Sequence, residues 1–206
     1  MKKEQDYIQD IAEIRSMMER SSKFLSLSGW AGIMAGIYAL LGAYIAYTFL
    51  NFHPDELFYS SLGSSSSSLP EVILLAITIL ILALGTAVFL SYKRAGRRNE
   101  KLWNPTAKLL LVNMMVPLVA GGILILFMIS KGLIGLVAPF SLLFYGLALF
   151  NAGRYTYQEV KILGLTEIIL GLIGSWLVEY GILFWALGFG VVHIIYGIHM
   201  NYKYKR

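Results

Sequence analysis

Cysteine is absent from this chain of 206 residues, and charged residues make up only 14% of it, about half the share found in an ordinary soluble domain. Without cysteine the chain has no disulfide bridge, no zinc–thiolate site and no thiol nucleophile. The shortage of charge, together with 57% hydrophobic residues, excludes a soluble enzyme core and a disordered tail. The composition is that of an integral membrane protein.

Recognisable enzyme motifs are also missing. The sequence contains no HExxH metalloprotease helix, no GxSxG nucleophile elbow and no GxxxxGK phosphate loop. Ser175 and His193 are the residue types of an intramembrane serine hydrolase, but nothing in the sequence marks this serine as activated. We therefore expect a protein with no enzymatic activity and no cofactor.

Long apolar runs are the main feature that is present. A membrane-spanning helix needs about 20 mostly apolar residues, and six runs satisfy this requirement. The predicted spans are about 24–50, 69–92, 106–129, 132–151, 162–178 and 182–200. The fifth run is the shortest and contains Glu167. Because barrel strands alternate apolar and polar residues, these continuous runs predict an all-α integral membrane protein with six transmembrane helices in residues 24–201.

The basic residues give an independent view of the topology. Loops that stay in the cytoplasm carry an excess of Lys and Arg. With the N-terminus inside and six spans, sixteen of the seventeen basic residues fall on the inner side, and only Lys131 falls outside. One missed helix would move every later loop to the wrong side. We therefore predict a multi-pass membrane protein, with both termini cytoplasmic and a basic tail at 202–206.

The segment 1–23 precedes the first apolar run. Its apolar residues recur at helical spacing from Tyr7 to Met18, among acidic and basic residues. This pattern is typical of an amphipathic cytoplasmic helix rather than of a cleaved signal peptide. Mixed charge makes the helix less suited to a lipid surface, so we expect it to pack on the inner loops or to dock a cytoplasmic protein through residues 1–20.

Two loops separate the early spans. The outer loop, 51–69, is rich in serine and reads as a linker. Its cluster of His53, Asp55 and Glu56 supplies too few ligands for a metal ion, so no metal site is predicted. The inner loop 93–108 carries six basic residues. Positive-inside topology accounts for them. The expected partner is the lipid bilayer, and no nucleic-acid partner is predicted.

The three predicted hairpins resemble one another in sequence. The matched positions are Gly121 with Gly171, Tyr145-Gly146 with Tyr196-Gly197, and Gly85 with Gly146. Each hairpin has two spans, so all three units enter the membrane in the same direction. Self-similarity of this kind is typical of membrane proteins built from repeats. We therefore predict three parallel hairpin repeats around an approximate threefold axis.

The segments "LGLIG" and "GFGVVHIIYGI", joined by a short outer turn, carry a family resemblance. They resemble the repeated hairpins of the bacterial HdeD-like membrane proteins, a six-span group linked with acid resistance. The whole chain also resembles small uncharacterised six-span membrane proteins of bacteria. The likeness covers about residues 24–200. It implies a six-span fold in the bacterial inner membrane with a role in envelope stress. It carries over no catalytic or binding residue.

Glu167 and His193 stand out because an ionisable group near the middle of a span costs about 2.5–3.5 kcal/mol. Each shares a helix face with small residues, which are Gly164, Gly171 and Gly174 for the glutamate and Ala186, Gly190 and Gly197 for the histidine. Small residues let helices approach closely, so both faces should point into the bundle. The two side chains lie at similar depths, which predicts an interhelical Glu167–His193 bond.

Two interpretations of this pair stay open. It is either a hydrogen bond that sets the register of the last hairpin, or a proton-responsive switch, because histidine titrates near neutrality. Secondary candidates are His199 and Tyr196 on the last span, Asn113 one turn before Pro117, and Glu179 in the outer turn.

The function expected from these features is that of a non-enzymatic membrane protein. It would respond to envelope stress or pH, or act as a scaffold, together with a cytoplasmic partner. The alternative is a small transporter or channel for protons, ions or small solutes. Transport would need polar residues at the midplane of each repeat, and only the last repeat has an ionisable pair. The small-residue faces also leave homo-oligomer formation open.

Overall fold

The computed structural model describes residues 28–52, 69–97 and 103–204, and within these ranges it contains helices and no strand. The predicted N-terminal helix, most of the serine-rich loop and its His53, Asp55 and Glu56 cluster lie outside the described residues. Helices are the expected outcome for long apolar runs, because a helix satisfies its backbone hydrogen bonds within one segment.

Helices occupy all six predicted positions. They are α1 (Gly29–Thr48), α2 (Leu69–Arg97), α3 (Pro105–Ser130), a 3₁₀ turn (Ile134–Leu136) leading into α4 (Val137–Ala152), α5 (Gln158–Trp176), and a 3₁₀ turn (Val178–Tyr180) leading into α6 (Gly181–Trp185), a π-helical segment (Ala186–Val192) and α7 (His193–Lys203). Helix α6, the π-helical segment and α7 follow one another without a break over residues 181–203, and we call this stretch the terminal rod.

The length and composition of these helices define an all-α membrane protein. Among the described residues, five helices are long and apolar enough to cross a membrane, and one of them, Val178–Lys203, contains the terminal rod. Helix α5 differs because its 19 residues include Glu159, Lys161 and Glu167. The membrane-embedded character is therefore confirmed, while the number of crossings stays a prediction.

Glycines let α1 and the terminal rod touch backbone to backbone. A Cβ on Gly197 would lie 2.5 Å from the carbonyl oxygen of Gly29, and one on Gly36 would lie 2.6 Å from that of Gly190. These contacts run in opposite directions along the two helices, so the helices are antiparallel. Helix α2 packs on α1 and completes what we call the first half of the bundle.

A second glycine seam joins α4 to α5, which is the most extensive helix pairing in the structure. A Cβ on Gly146 would lie 2.6 Å from the carbonyl oxygen of Gly164, and one on Gly171 would lie 2.8 Å from that of Pro139. Helix α3 packs against the other side of α4. We call α3, α4 and α5 the second half.

The two halves meet along the terminal rod and α5. Near one end of this interface Met200 is fully buried among Leu149, Ala152, Val160 and Leu163. The predicted last hairpin is thus divided between the halves, because α5 pairs mainly with α4 and α7 pairs mainly with α1.

The described residues show no extended contact between α2 and α3. A Cβ on Gly85 of α2 would meet nothing within 4 Å, whereas its matched residues Gly146 and Gly197 lie in the two seams. A threefold ring would need a third seam at this place. The hairpin repeat therefore stays a prediction.

Consecutive long helices run antiparallel, so seven of the basic residues lie at one end of the bundle. This basic end carries Lys93, Arg94, Arg97, Lys108, Arg154, Lys161 and Lys203. A contact across the basic end brings α2 together with the end of α7, since the Arg94 guanidinium lies 3.4 Å from the carbonyl oxygen of Tyr204. Lys131 lies at the opposite end, at the C-terminus of α3.

Substituting Gly197 with Ala tests the first glycine seam. The added methyl group meets the backbone of Gly29, which has no flexible side chain to move aside, so we expect a loss of about 1–3 kcal/mol of stability. Thermal unfolding in detergent micelles, followed by circular dichroism, measures the loss. Gly122→Ala is the matched control because its methyl group enters open space on α3. Equal unfolding midpoints for both variants would contradict a stabilising role of the seam.

Candidate functional site

The candidate site begins with the π-helical segment that precedes His193. In a π register His193 would donate its backbone N–H to the carbonyl of Gly188, five residues earlier. It donates instead to Gly190, and its ring atom Nδ1 lies 3.0 Å from the Gly188 oxygen. The side chain therefore takes the position of a backbone donor, which aligns the imidazole along the rod. π-helical segments of this kind often lie at functional sites.

Glu167 faces this imidazole from α5. Its side chain is fully buried, and Oε1 lies 3.3 Å from His193 Nδ1. Nδ1 carries one hydrogen, and the Gly188 oxygen is the nearer acceptor. Both carboxylate oxygens of Glu167 accordingly lack a hydrogen-bond donor among the described residues. A carboxylate buried in this way is stable only if it is protonated or if a cation lies beside it.

Tyr145 of α4 completes the network. Its hydroxyl oxygen lies 3.0 Å from His193 Nε2. Since Nδ1 faces only oxygen acceptors, it is the protonated nitrogen in a neutral ring. The Tyr145 hydroxyl then donates to Nε2, and it accepts from Nε2 when the ring is protonated. The geometry thus suits both charge states of His193 without movement of heavy atoms.

Aromatic rings cover the imidazole. Phe189 lies nearly parallel to His193, with ring centres 5.9 Å apart and an interplanar angle of 26°, and Trp185 lies 5.1 Å beyond Phe189. The ring centres of Tyr145 and Phe189 lie 5.0 Å apart. The polar network is therefore enclosed by apolar surface, where an electrostatic interaction is stronger than in water.

The chemistry available to this network is proton exchange. Consider one exchangeable proton in addition to the single N–H of a neutral His193 ring. With this proton on Glu167 both side chains are neutral, and with it on His193 they form an ion pair. The net charge is zero in both cases. A second proton leaves a cationic histidine beside a neutral carboxyl group. An unpaired charge in a membrane interior is costly.

The other predicted candidates lie outside the network. His199 and Glu179 are exposed, and Tyr196 packs against the cluster around Met200. Asn113 donates its amide to the Leu109 carbonyl of its own helix, at 2.8 Å.

Tyr145 and Gly188 belong to the network but are missing from the sequence-based candidates. A signal for Tyr145 exists in the repeat alignment, where it matches Tyr196. Gly188 is one of many glycines, and only the packing distinguishes it. The described ranges bring no third residue of a metal-binding type to Glu167 and His193.

A second polar cluster joins α5 to α7 at the basic end. Glu159 accepts a hydrogen bond from Lys203 Nζ at 2.5 Å and one from the Tyr204 hydroxyl at 3.1 Å. Partial burial raises the pKa of Glu159, but the hydrogen bonds from Lys203 and Tyr204 outweigh this effect. The pKa of this carboxyl group therefore lies below its ordinary value.

Comparison of the chain with known protein families, curated proteins and solved structures finds no match. The resemblance to the HdeD-like proteins therefore stays a prediction. The fold and the site define the class: a helical membrane-embedded protein with a buried Glu167–His193–Tyr145 network.

Gly188→Ala tests how closely the carboxylate is packed. The new methyl group would overlap Glu167 Oε2 and would lie 2.5 Å from Leu142 Cδ2. We expect a loss of about 1–3 kcal/mol in thermal stability. In a Glu167→Ala background the carboxylate is gone, so the same change should cost less than half as much. An equal cost in both backgrounds would show that Gly188 does not hold space for Glu167.

The Glu159 cluster predicts a pH dependence with a definite sign. Because the pKa of Glu159 is lower in the folded protein than its ordinary value of 4.5, its contribution to stability is complete above that value and is lost as the pH falls below it. Unfolding midpoints measured between neutral pH and acidic pH should fall less in Glu159→Gln than in the unmodified protein. Glu179→Gln removes an exposed carboxylate. Its unfolding midpoint should fall with pH as much as that of the unmodified protein.

Proposed function

We propose that this chain is a non-enzymatic, proton-responsive protein of the bacterial inner membrane. It crosses the membrane six times, and the Glu167–His193–Tyr145 network senses acidification. The response is passed to the basic end, where a cytoplasmic partner binds. One observation carries the proposal: the fully buried Glu167 carboxylate has no hydrogen-bond donor within the described ranges, and His193 Nδ1 lies 3.3 Å from its Oε1.

The charge balance of the pair supports a switch over a simple structural bond. A structural pair would be expected to satisfy the carboxylate with several donors. Glu167 has none among the described residues, so its charge depends on the proton held by His193. The titratable groups around His193 are Glu167 from α5 and Tyr145 from α4. On the side of α1, a Cβ built on Gly32 would lie 3.2 Å from the backbone oxygen of His193.

The path to the basic end runs along α5 and α7. These helices are joined twice, by Glu167 with His193 and by Glu159 with Lys203. Helix α5 packs mainly within the second half, and α7 packs mainly within the first half. A change at the first pair therefore shifts the relative position of the halves, and the second pair carries this shift to the surface.

The membrane topology follows from the basic end. Positive-inside bias places this end in the cytoplasm, together with both termini. Lys203 and Tyr204 then lie on the same side of the membrane as residues 1–20, the predicted dock for a cytoplasmic protein.

Close packing around the pair argues against the transporter alternative. Even a methyl group on Gly188 would overlap the Glu167 carboxylate, so a metal cation with its ligands does not fit between them. A proton needs no added space. The packing therefore favours the proton, rather than a metal cation, as the species that acts on this site.

Hydrogen exchange measured by mass spectrometry on protein in lipid nanodiscs tests the proposal. Between pH 7.5 and pH 5, corrected for intrinsic exchange, we expect amides of the terminal rod to exchange about tenfold faster at the lower pH, which corresponds to about 1.4 kcal/mol. Glu167→Gln and His193→Asn should each abolish most of this difference. His199→Asn is the matched control, because it removes an exposed histidine from the same helix, and it should respond as the unmodified protein does.

Two results would contradict the proposal. A full acid response in both Glu167→Gln and His193→Asn would leave the network as a structural bond. Saturable proton flux into liposomes that is abolished by His193→Asn would establish the transporter alternative.

A further inference from the structure

An open apolar groove of about 600 Å³ runs along the seam between α1 and the second part of α2. Its walls include Trp30 and Met34 of α1 and Ile81, Gly85, Phe89 and Leu90 of α2. Gly85 presents no side chain to this groove, and a Cβ built there meets nothing within 4 Å. From Ile81 to Leu90 it extends about 13 Å along the helix, close to half of the roughly 30 Å hydrocarbon core.

Two basic side chains lie at one mouth of this groove. Lys93 follows Phe89 by one helical turn, and Arg97 follows Lys93 by another, so both extend the groove-lining face of α2. Both are exposed, and neither forms an ion pair with a carboxylate among the residues described. Trp30 is also exposed. It lies at the start of α1, level with the end of α2, where an interfacial tryptophan is favoured.

We propose that this groove binds one anionic phospholipid. An acyl chain lies along Gly85 between Trp30, Met34 and Phe89, and the headgroup phosphate pairs with Lys93 and Arg97. The apolar walls exclude a water-soluble anion, and the groove length matches one leaflet. The two positive charges favour an anionic headgroup over a zwitterionic one. The site is independent of the Glu167–His193–Tyr145 network.

Native mass spectrometry of the full chain in detergent tests this site. The probes are dioleoyl phosphatidylglycerol and, as the zwitterionic reference, dioleoyl phosphatidylcholine. We expect one phosphatidylglycerol molecule to bind in preference. The double variant Lys93→Gln/Arg97→Gln should bind it about 30-fold more weakly, since each basic residue contributes to the attraction. Gly85→Leu fills the groove and should weaken binding about tenfold or more by steric exclusion.

Each variant has a matched control. Lys108→Gln/Lys161→Gln removes the same number of charges from the same basic end but away from the groove. Gly122→Leu adds the same side chain to an open position on α3. Both controls should bind phosphatidylglycerol within about twofold of the unmodified protein. The charge variants alter exposed residues, so they keep the test valid if Gly85→Leu fails to fold.

Three results would overturn the proposal. Equal weakening in Lys108→Gln/Lys161→Gln would show diffuse attraction to the basic end rather than a site. Equal binding of phosphatidylcholine would show an unselective lipid layer. Unchanged lipid binding in folded Gly85→Leu, with an altered oligomeric state, would make the groove an interface between copies of this chain.

Discussion

Contact between helix backbones across glycine holds each half of this bundle together. Lipid tails are as apolar as the side chains of the helices, so burial of apolar surface provides little driving force for helix association in a membrane. Close packing supplies it instead. Gly29 with Gly197 and Gly146 with Gly164 bring the axes near enough for backbone atoms to touch. The positions of α1, α4, α5 and the terminal rod all depend on these contacts.

The buried Glu167–His193 pair is joined across the two halves. Glu167 and Tyr145 belong to the second half, and His193 belongs to the first. The same is true at the basic end, where Glu159 meets Lys203 and Tyr204. Backbone contacts across glycine hold each half together, while the interface between the halves contains the pairs Glu167–His193 and Glu159–Lys203. In the proposed function, protons act by changing the relative position of the halves.

Much of the architecture follows from local sequence patterns. Apolar runs of sufficient length place the helices, and the described elements begin and end within a few residues of the predicted spans. The pairing of helices was less predictable. The predicted last hairpin is divided between the halves, because Gly164 and Gly171 face α4 while Gly190 and Gly197 face α1. A glycine face predicts that some helix packs against it, but its spacing does not name that helix.

The sequence by itself determines that this protein is helical and membrane-embedded, because backbone groups in lipid must be satisfied within each segment and only apolar runs tolerate that environment. It also singles out Glu167 and His193, because ionisable residues inside such runs are rare. Only the tertiary structure brings Tyr145 to His193 and Gly188 to the Glu167 carboxylate. It also forms the apolar groove between α1 and α2 that Gly85 lines. These features depend on distances between residues far apart in the chain, which no local pattern records.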